Sequence, residues 1–136
     1  LVPADGFYEW PKDKASKDRR PWRIFAADRP AFAFAGIWEA WRNPQGGPEG
    51  GGAGDILRSF AIVTTDANAR IAGTHDRMPV ILHPRDYAKW LDAAPQTPEN
   101  LQPLIKPFSA DAMSAYPVST LVNKPANDAP ELVVPV

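Results

Sequence analysis

Leu1-Val2-Pro3-Ala4-Asp5-Gly6-Phe7-Tyr8-Glu9-Trp10 is the stretch from which the fold is read. A Pro-Ala-Asp-Gly turn leads into a short strand, Gly6 to Trp10. The two-residue period of a strand puts Phe7 and Glu9 on one face and Tyr8 and Trp10 on the other. The polar run from Lys12 to Arg20 has the composition of a hairpin loop, and Trp22 to Ala26 is the expected returning strand. The opening thus predicts antiparallel pairing.

Further along, Ala31 to Trp38 alternates small and large residues, as a strand packed closely on one face does. Ser59-Phe60-Ala61-Ile62-Val63-Thr64-Thr65 has a buried-strand pattern, and Asp66 is placed to cap a helical turn through Ile71. Pro84 to Leu91 carries Tyr87, Trp90 and Leu91 at helical spacing, and Thr97 with Pro98 opens a second helix. The tail, Tyr116 to Val136, is read as one strand and then a Pro-rich return to the core. Strands with interspersed short helices and no regular βαβ alternation predict an α+β fold in a single domain, 1–136. Residues 44–54 form a Gly-rich loop within it. That loop lacks the Gly-Lys-Ser/Thr ending of a phosphate cradle.

Composition narrows the chemistry. The 136 residues hold 15 Lys+Arg against 16 Asp+Glu, a formal net charge of -1, so any nucleic-acid contact rests on a local groove. The absence of cysteine excludes thiol nucleophiles, thiolate metal sites and disulfides within the chain. With 2 histidines and no ligand spacing, no metal or other cofactor is expected. No apolar stretch approaches the ~20 residues that span a membrane. A cytoplasmic protein is the expectation, and membrane partners are not.

Two residues stand out for proton chemistry. Glu9 lies in the aromatic cluster Phe7-Tyr8-Glu9-Trp10, where desolvation would raise its pKa and suit it to proton transfer near neutrality. The plainer alternative is a strand carboxylate at a sheet edge or paired with an arginine. His75 lies in the loop Gly73-Thr74-His75-Asp76-Arg77-Met78-Pro79, between a helical turn and a strand. A surface loop histidine is the competing reading. His83 is read as a structural residue at a strand-to-helix boundary. Of the 5 tryptophans, Trp38, Trp41 and Trp90 fit packing. Trp10 beside Glu9 and Arg77 beside His75 fit the stacking-plus-cation pattern that holds single-stranded nucleic acid. The scattered serines form no nucleophile elbow.

These blocks resemble the SRAP (SOS response-associated peptidase) family in family order along the whole chain. The resemblance lies in Leu1 to Trp10, in Phe32-Ala33-Phe34-Ala35-Gly36-Ile37-Trp38-Glu39, and in Thr64-Thr65-Asp66-Ala67-Asn68 with His75-Asp76-Arg77-Met78-Pro79-Val80-Ile81-Leu82. It extends to Tyr116-Pro117-Val118-Ser119, Val122-Asn123, Asn127-Asp128 and Pro130-Glu131-Leu132. The resemblance implies a mixed, mostly antiparallel barrel-like sheet with short peripheral helices. It implies a DNA-damage function in which an amino-terminal cysteine, exposed by self-removal of the initiator Met, attacks the ring-opened sugar of an abasic site in single-stranded DNA. Amine and thiol then close a thiazolidine crosslink. Glu9 matches the family's proton-shuttling glutamate, and His75 matches the histidine that assists ring opening and crosslink reversal. Trp10, Arg77 and Thr64 match positions lining the DNA groove. In such a protein the expected setting is bacterial-type cytoplasm, at the nucleoid when bound to DNA.

One departure weighs on that reading. The family's cysteine and its upstream active-site asparagine have no counterpart here, and Leu1 falls where the family carries preceding chain. The expectation is a domain lacking its amino-terminal strands, inactive alone and completed by an amino-terminal segment or a companion chain. A non-catalytic single-stranded DNA binding module is the alternative. General proteolysis is not expected.

Overall fold

In a computed structural model of the chain, residues 1–11, 20–45 and 52–136 are described. The hairpin read from the opening residues is present. β2 (Phe7–Glu9) pairs antiparallel with β3 (Trp22–Ala26), with Phe7 opposite Ile24 and Glu9 opposite Trp22. The expected loop between them, Lys12 to Arg20, lies outside the described residues except for Arg20. On its other edge β3 takes β10 (Met113–Pro117), so the chain's tail closes this sheet in the order β10-β3-β2.

Alternation splits the sheet into two unlike faces. Phe7, Ile24, Ala26, Met113 and Ala115 belong to the main core, together with Phe32, Phe34, Ile71, Met78, Ile81 and Phe108. On the opposite face Arg23 reaches the Tyr116 hydroxyl at 3.2 Å, ion-pairs with Asp5 and lies 5.2 Å from the Phe25 ring centre. From the same face the hydroxyls of Tyr8 and Tyr116 donate to the carbonyls of Leu132 and Val133, at 3.2 and 2.7 Å. These bonds and a bridge between Val118 and Pro135 hold the Pro-rich tail on the outer face of this sheet, where it stays largely exposed, rather than in the core as read from the sequence.

A second sheet is ordered β1 (Val2–Ala4), β4 (Phe32–Phe34), β9 (Ile81–Leu82). Two antiparallel pairs complete the strands: β5 (Gly36–Arg42) with β6 (Ile56–Ile62), and β7 (Thr64–Asp66) with β8 (Arg77–Pro79). The sequence pattern joined β4 to β5 and β6 to β7 as continuous strands, but each breaks at one residue. The breaks meet. Ala35 N–H donates to Val80 C=O, Val80 N–H to Val63 C=O, and Val63 N–H to Ala35 C=O, each at 2.9 Å. This closed ring of three backbone bonds lets three strands pass from one sheet to the next without leaving a buried amide unpaired. Ala35 and Val80 are fully buried at its centre. The described strands therefore form four small antiparallel sheets, three of which meet at this junction, and no closed barrel.

Two short helices lie outside the sheets: α1 (Tyr87–Trp90), entered by a 3-10 turn at Pro84–Asp86, and α2 (Pro98–Leu101), opened by Thr97 with Pro98 in its first turn. Trp90 packs on a second, smaller core cluster of Ala35, Val80 and Leu82, and its indole N–H reaches Gly36 C=O at 3.1 Å. His83 is a boundary residue with its ring 5.0 Å from Phe108. No helix among the described residues is long and apolar enough to cross a membrane.

The burial expected of the β5–β6 residues is overturned. Ser59 to Thr65 has the composition of a buried strand, yet every residue of β6 is exposed. Trp38 and Trp41, read as packing residues, are exposed on β5, Trp38 at 74%. Alternation reports which residues suit an apolar face. It does not report whether a layer lies on that face. The Gly-rich loop beyond β5 falls mostly outside the described residues. At its base Gly54, at φ 89, donates to Asn43 C=O at 2.7 Å, a left-handed conformation suited to glycine.

Candidate active site and nucleic-acid interface

Glu9 ends β2 on the face that carries Phe7, opposite Trp22. It is the one carboxylate among the paired residues of that face, and it is half-buried. Burial pushes its pKa above the ordinary glutamate value, and the field of His75 pulls partly the other way. The structure thus brings together the two residues singled out for proton chemistry, from segments far apart in the chain.

His75 is exposed, and its backbone and ring are both held. A helical turn over residues 68–75 is closed by Ala72 N–H to Asn68 C=O at 2.9 Å and His75 N–H to Ile71 C=O at 3.0 Å. The turn is fastened at its base by fully buried Ile71. Its cap is Asn68, whose Oδ1 accepts from the amides of Arg70 and Ile71, rather than the expected Asp66. Asp66 is drawn into β7, opposite Arg77. The Nδ1 edge of His75 faces the backbone N–H and C=O of Arg77, both at 3.0 Å. Whichever tautomer is present, Nδ1 is occupied by these local contacts, and they leave Nε2 unengaged.

Arg77 and Thr64 also meet. The Arg77 guanidinium donates to Thr64 C=O at 2.6 Å and to Thr64 Oγ1 at 3.0 Å, and pairs with Asp66 at 3.2 Å. All three side chains lie on the exposed face of the β7–β8 pair, so Arg77 is held in place, with a solvent-facing carboxylate as its ionic partner. Trp10 is exposed at 38%, next to Glu9, and its indole N–H donates to Asn123 Oδ1 at 2.8 Å. The reading of the sequence gave no role to Asn123, Asn68 or Trp22. A side-chain amide with a partner tens of residues away leaves no local signal. Beside the Glu9 strand, Trp22, Ile24, Arg70, Thr74 and Ala115 line a cavity of about 200 Å³. No group of three or more His, Cys, Asp or Glu that could hold a metal occurs among the described residues.

Comparison with known proteins bears on this arrangement. The model of the SOS response associated peptidase (SRAP) family matches residues 1–125. An abasic site processing protein of Bacillus subtilis, YoqW, is 43% identical over 133 residues, which are 98% of this chain and 55% of that protein. The abasic site processing protein HMCES of Gallus gallus is 32% identical over 160 residues, covering all of this chain and 43% of its own length. A crystal structure of a Bacteroides thetaiotaomicron protein superposes with a TM-score of 0.82 at 30% identity, over 99% of this chain and 55% of that one. The chain spans about half the length of the relatives it matches.

Proposed function

This chain belongs to the SRAP family, and from that membership we propose that it is the part of an abasic-site processing protein that moves protons during covalent capture of the lesion. The observation that carries the reading is that half-buried Glu9, at the end of β2, lies within the electrostatic reach of exposed His75 from a distant segment of the chain. The relatives' names, which state abasic site processing, support the substrate.

In the proposed reaction an amino-terminal cysteine, supplied by sequence outside these 136 residues, attacks the C1′ aldehyde of a ring-opened abasic sugar. Its amine adds to the carbonyl carbon to give a carbinolamine. Protonation of the hydroxyl and loss of water give the Schiff base, and addition of the thiolate to the same carbon closes the thiazolidine. One water leaves overall. The group that serves this sequence takes a proton from the attacking amine and returns one to the departing hydroxyl. A carboxyl with a raised pKa is suited to both directions near neutrality. His75, held at Nδ1, offers Nε2 to the sugar for ring opening and for the reverse reaction. Arg77 and Thr64 meet the DNA backbone at the β7–β8 edge, and Trp10 stacks on a base next to the lesion. In the same full-length protein the nucleophile is uncovered by self-removal of the initiator Met.

The test is the intact mass of the native gene product before and after incubation with abasic single-stranded DNA. A gain of the oligonucleotide mass less one water, lost or slowed about a hundredfold or more in Glu9→Ala, supports the reading. A cysteine-bearing product that gains nothing sinks it. The 136-residue chain alone has no cysteine and is expected to gain nothing. If Glu9→Ala and His75→Ala leave capture and reversal unchanged, the domain is a single-stranded DNA binding module and not the catalytic half.

A further inference from the structure

The β5–β6 pair is the part of the fold that is least explained by what it touches. Trp38, 74% exposed, lies opposite Phe60, 68% exposed, and their face continues through Ile62 and Ile56. The other face carries Ile37, Trp41 and Leu57, all exposed. An isolated two-stranded ribbon is at best marginally stable, and contiguous apolar surface of this extent marks a contact face. Against one end of it, Leu1, Val2 and Pro3 with Ile37, Trp38 and Phe60 line a cavity of about 300 Å³. Val2 and Pro3 of this lining belong to β1, which is the edge strand of its sheet.

We infer that the β5–β6 ribbon and the β1 edge are the docking face for the polypeptide that the relatives carry outside the matched region, whether it is joined to this chain or separate. The matched stretch is 55% of YoqW and 55% of the Bacteroides protein, so 45% of each (100 less 55) lies beyond it. That is enough chain to cover both sides of a ribbon. A second copy of this chain fits less well. A two-fold contact would bury one face of each ribbon and leave the other in water. Charge is also sparse on the ribbon. Glu39 on one face, and Arg42 and Arg58 on the other, are its ionic residues within the paired registers, which suits an apolar occupant better than a phosphate backbone. The inference rests on family membership and not on the roles of Glu9 and His75, so the two readings fail separately.

The experiment is hydrogen exchange read by mass spectrometry on the 136-residue chain. It is measured alone, with the unmatched portion of YoqW added, and with that portion fused through a flexible linker so that affinity does not limit the outcome. Residues 36–42 and 56–62 are expected to exchange freely in the chain alone and to slow at least tenfold in the other two states. Trp38→Asp, a change at a residue exposed in the chain alone, is expected to weaken capture of the added polypeptide at least tenfold. Three results would overturn the inference: unprotected ribbon residues in the fusion, full protection in a dimer of the chain alone, or protection by single-stranded DNA alone. Loss of crosslinking in Glu9→Ala with ribbon protection intact would leave it standing.

Discussion

The indole N–H of Trp10 donates to Oδ1 of Asn123 across 2.8 Å, fastening the residue proposed to stack on DNA to the carboxy-terminal turns. Trp10 is exposed, so this bond selects one orientation of a ring that packing alone would leave free. A ring fixed before DNA arrives loses less freedom on binding. We expect Asn123→Ala to weaken binding of an undamaged single-stranded oligonucleotide by about fivefold, the worth of one such bond at about 1 kcal/mol. Trp10→Ala should cost about 1–3 kcal/mol, the usual range for one stacked base. Fluorescence anisotropy would measure both. Equal binding by Trp10→Ala and the parent protein would remove Trp10 from the interface.

Glu9 sets stability against function. Its folded pKa is raised by burial, with His75 opposing, so the folded chain holds the proton more tightly than the unfolded chain does. By linkage its contribution to stability is fully present below the unfolded glutamate pKa and is lost as pH rises through the folded value. Glu9→Gln should therefore leave Tm unchanged at acid pH and raise it modestly at pH 7, while slowing crosslink formation about a hundredfold. A Glu9→Gln protein that melts lower than the parent at pH 7 would mean that the carboxylate is stabilised by a partner, and the desolvation argument would fall.

Arg77 yields a prediction in salt. Its guanidinium is held by Thr64 and by exposed Asp66, an arrangement that aims the side chain without neutralising it through burial. Arg77→Ala should reduce DNA affinity evenly across sequences and lower the slope of log affinity against log salt by about one, as for one lost phosphate contact. Asp66→Asn removes a competing anion and should raise affinity by a fewfold at low salt. An unchanged slope in Arg77→Ala would place the phosphate elsewhere.

How much of this was legible in the sequence differs from residue to residue. The β2–β3 pairing was legible because alternation is a local signal, and the pairing holds in the structure, while the polar run between the strands lies outside the described residues except for Arg20. Glu9 and His75 could be chosen separately, one from its aromatic neighbours and one from its loop. Nothing local said that the two would meet, and the match to family blocks supplied that. The breaks at Ala35, Val63 and Val80 were hidden, since small or β-branched residues sit as well in a straight strand as at a corner. The ribbon misled for a related reason. The apolar residues of β6 are suited to being covered, and whether a layer covers them is not encoded within the strand itself.

Gly36 offers the sharpest test of the packing. A Cβ built there would lie 2.9 Å from Cγ2 of Val2, and the Gly36 carbonyl accepts from Trp90, so β1, β5 and α1 converge on one residue. Valine is stiff at χ1 and cannot swing that methyl aside without cost. On strand propensity alone Gly36→Ala would stabilise, because glycine weakens a strand interior. Overpacking opposes that and should win, costing about 1–3 kcal/mol in chemical denaturation of the chain. The cause can be isolated with Val2→Ala, which shortens the opposing side chain. If the clash is the reason, the double variant will be more stable than the sum of the two single losses predicts, by about 0.5–3 kcal/mol. Additive losses would show that β1 does not lie against β5 as described, and with it the cavity between Leu1 and Phe60 would lose its floor.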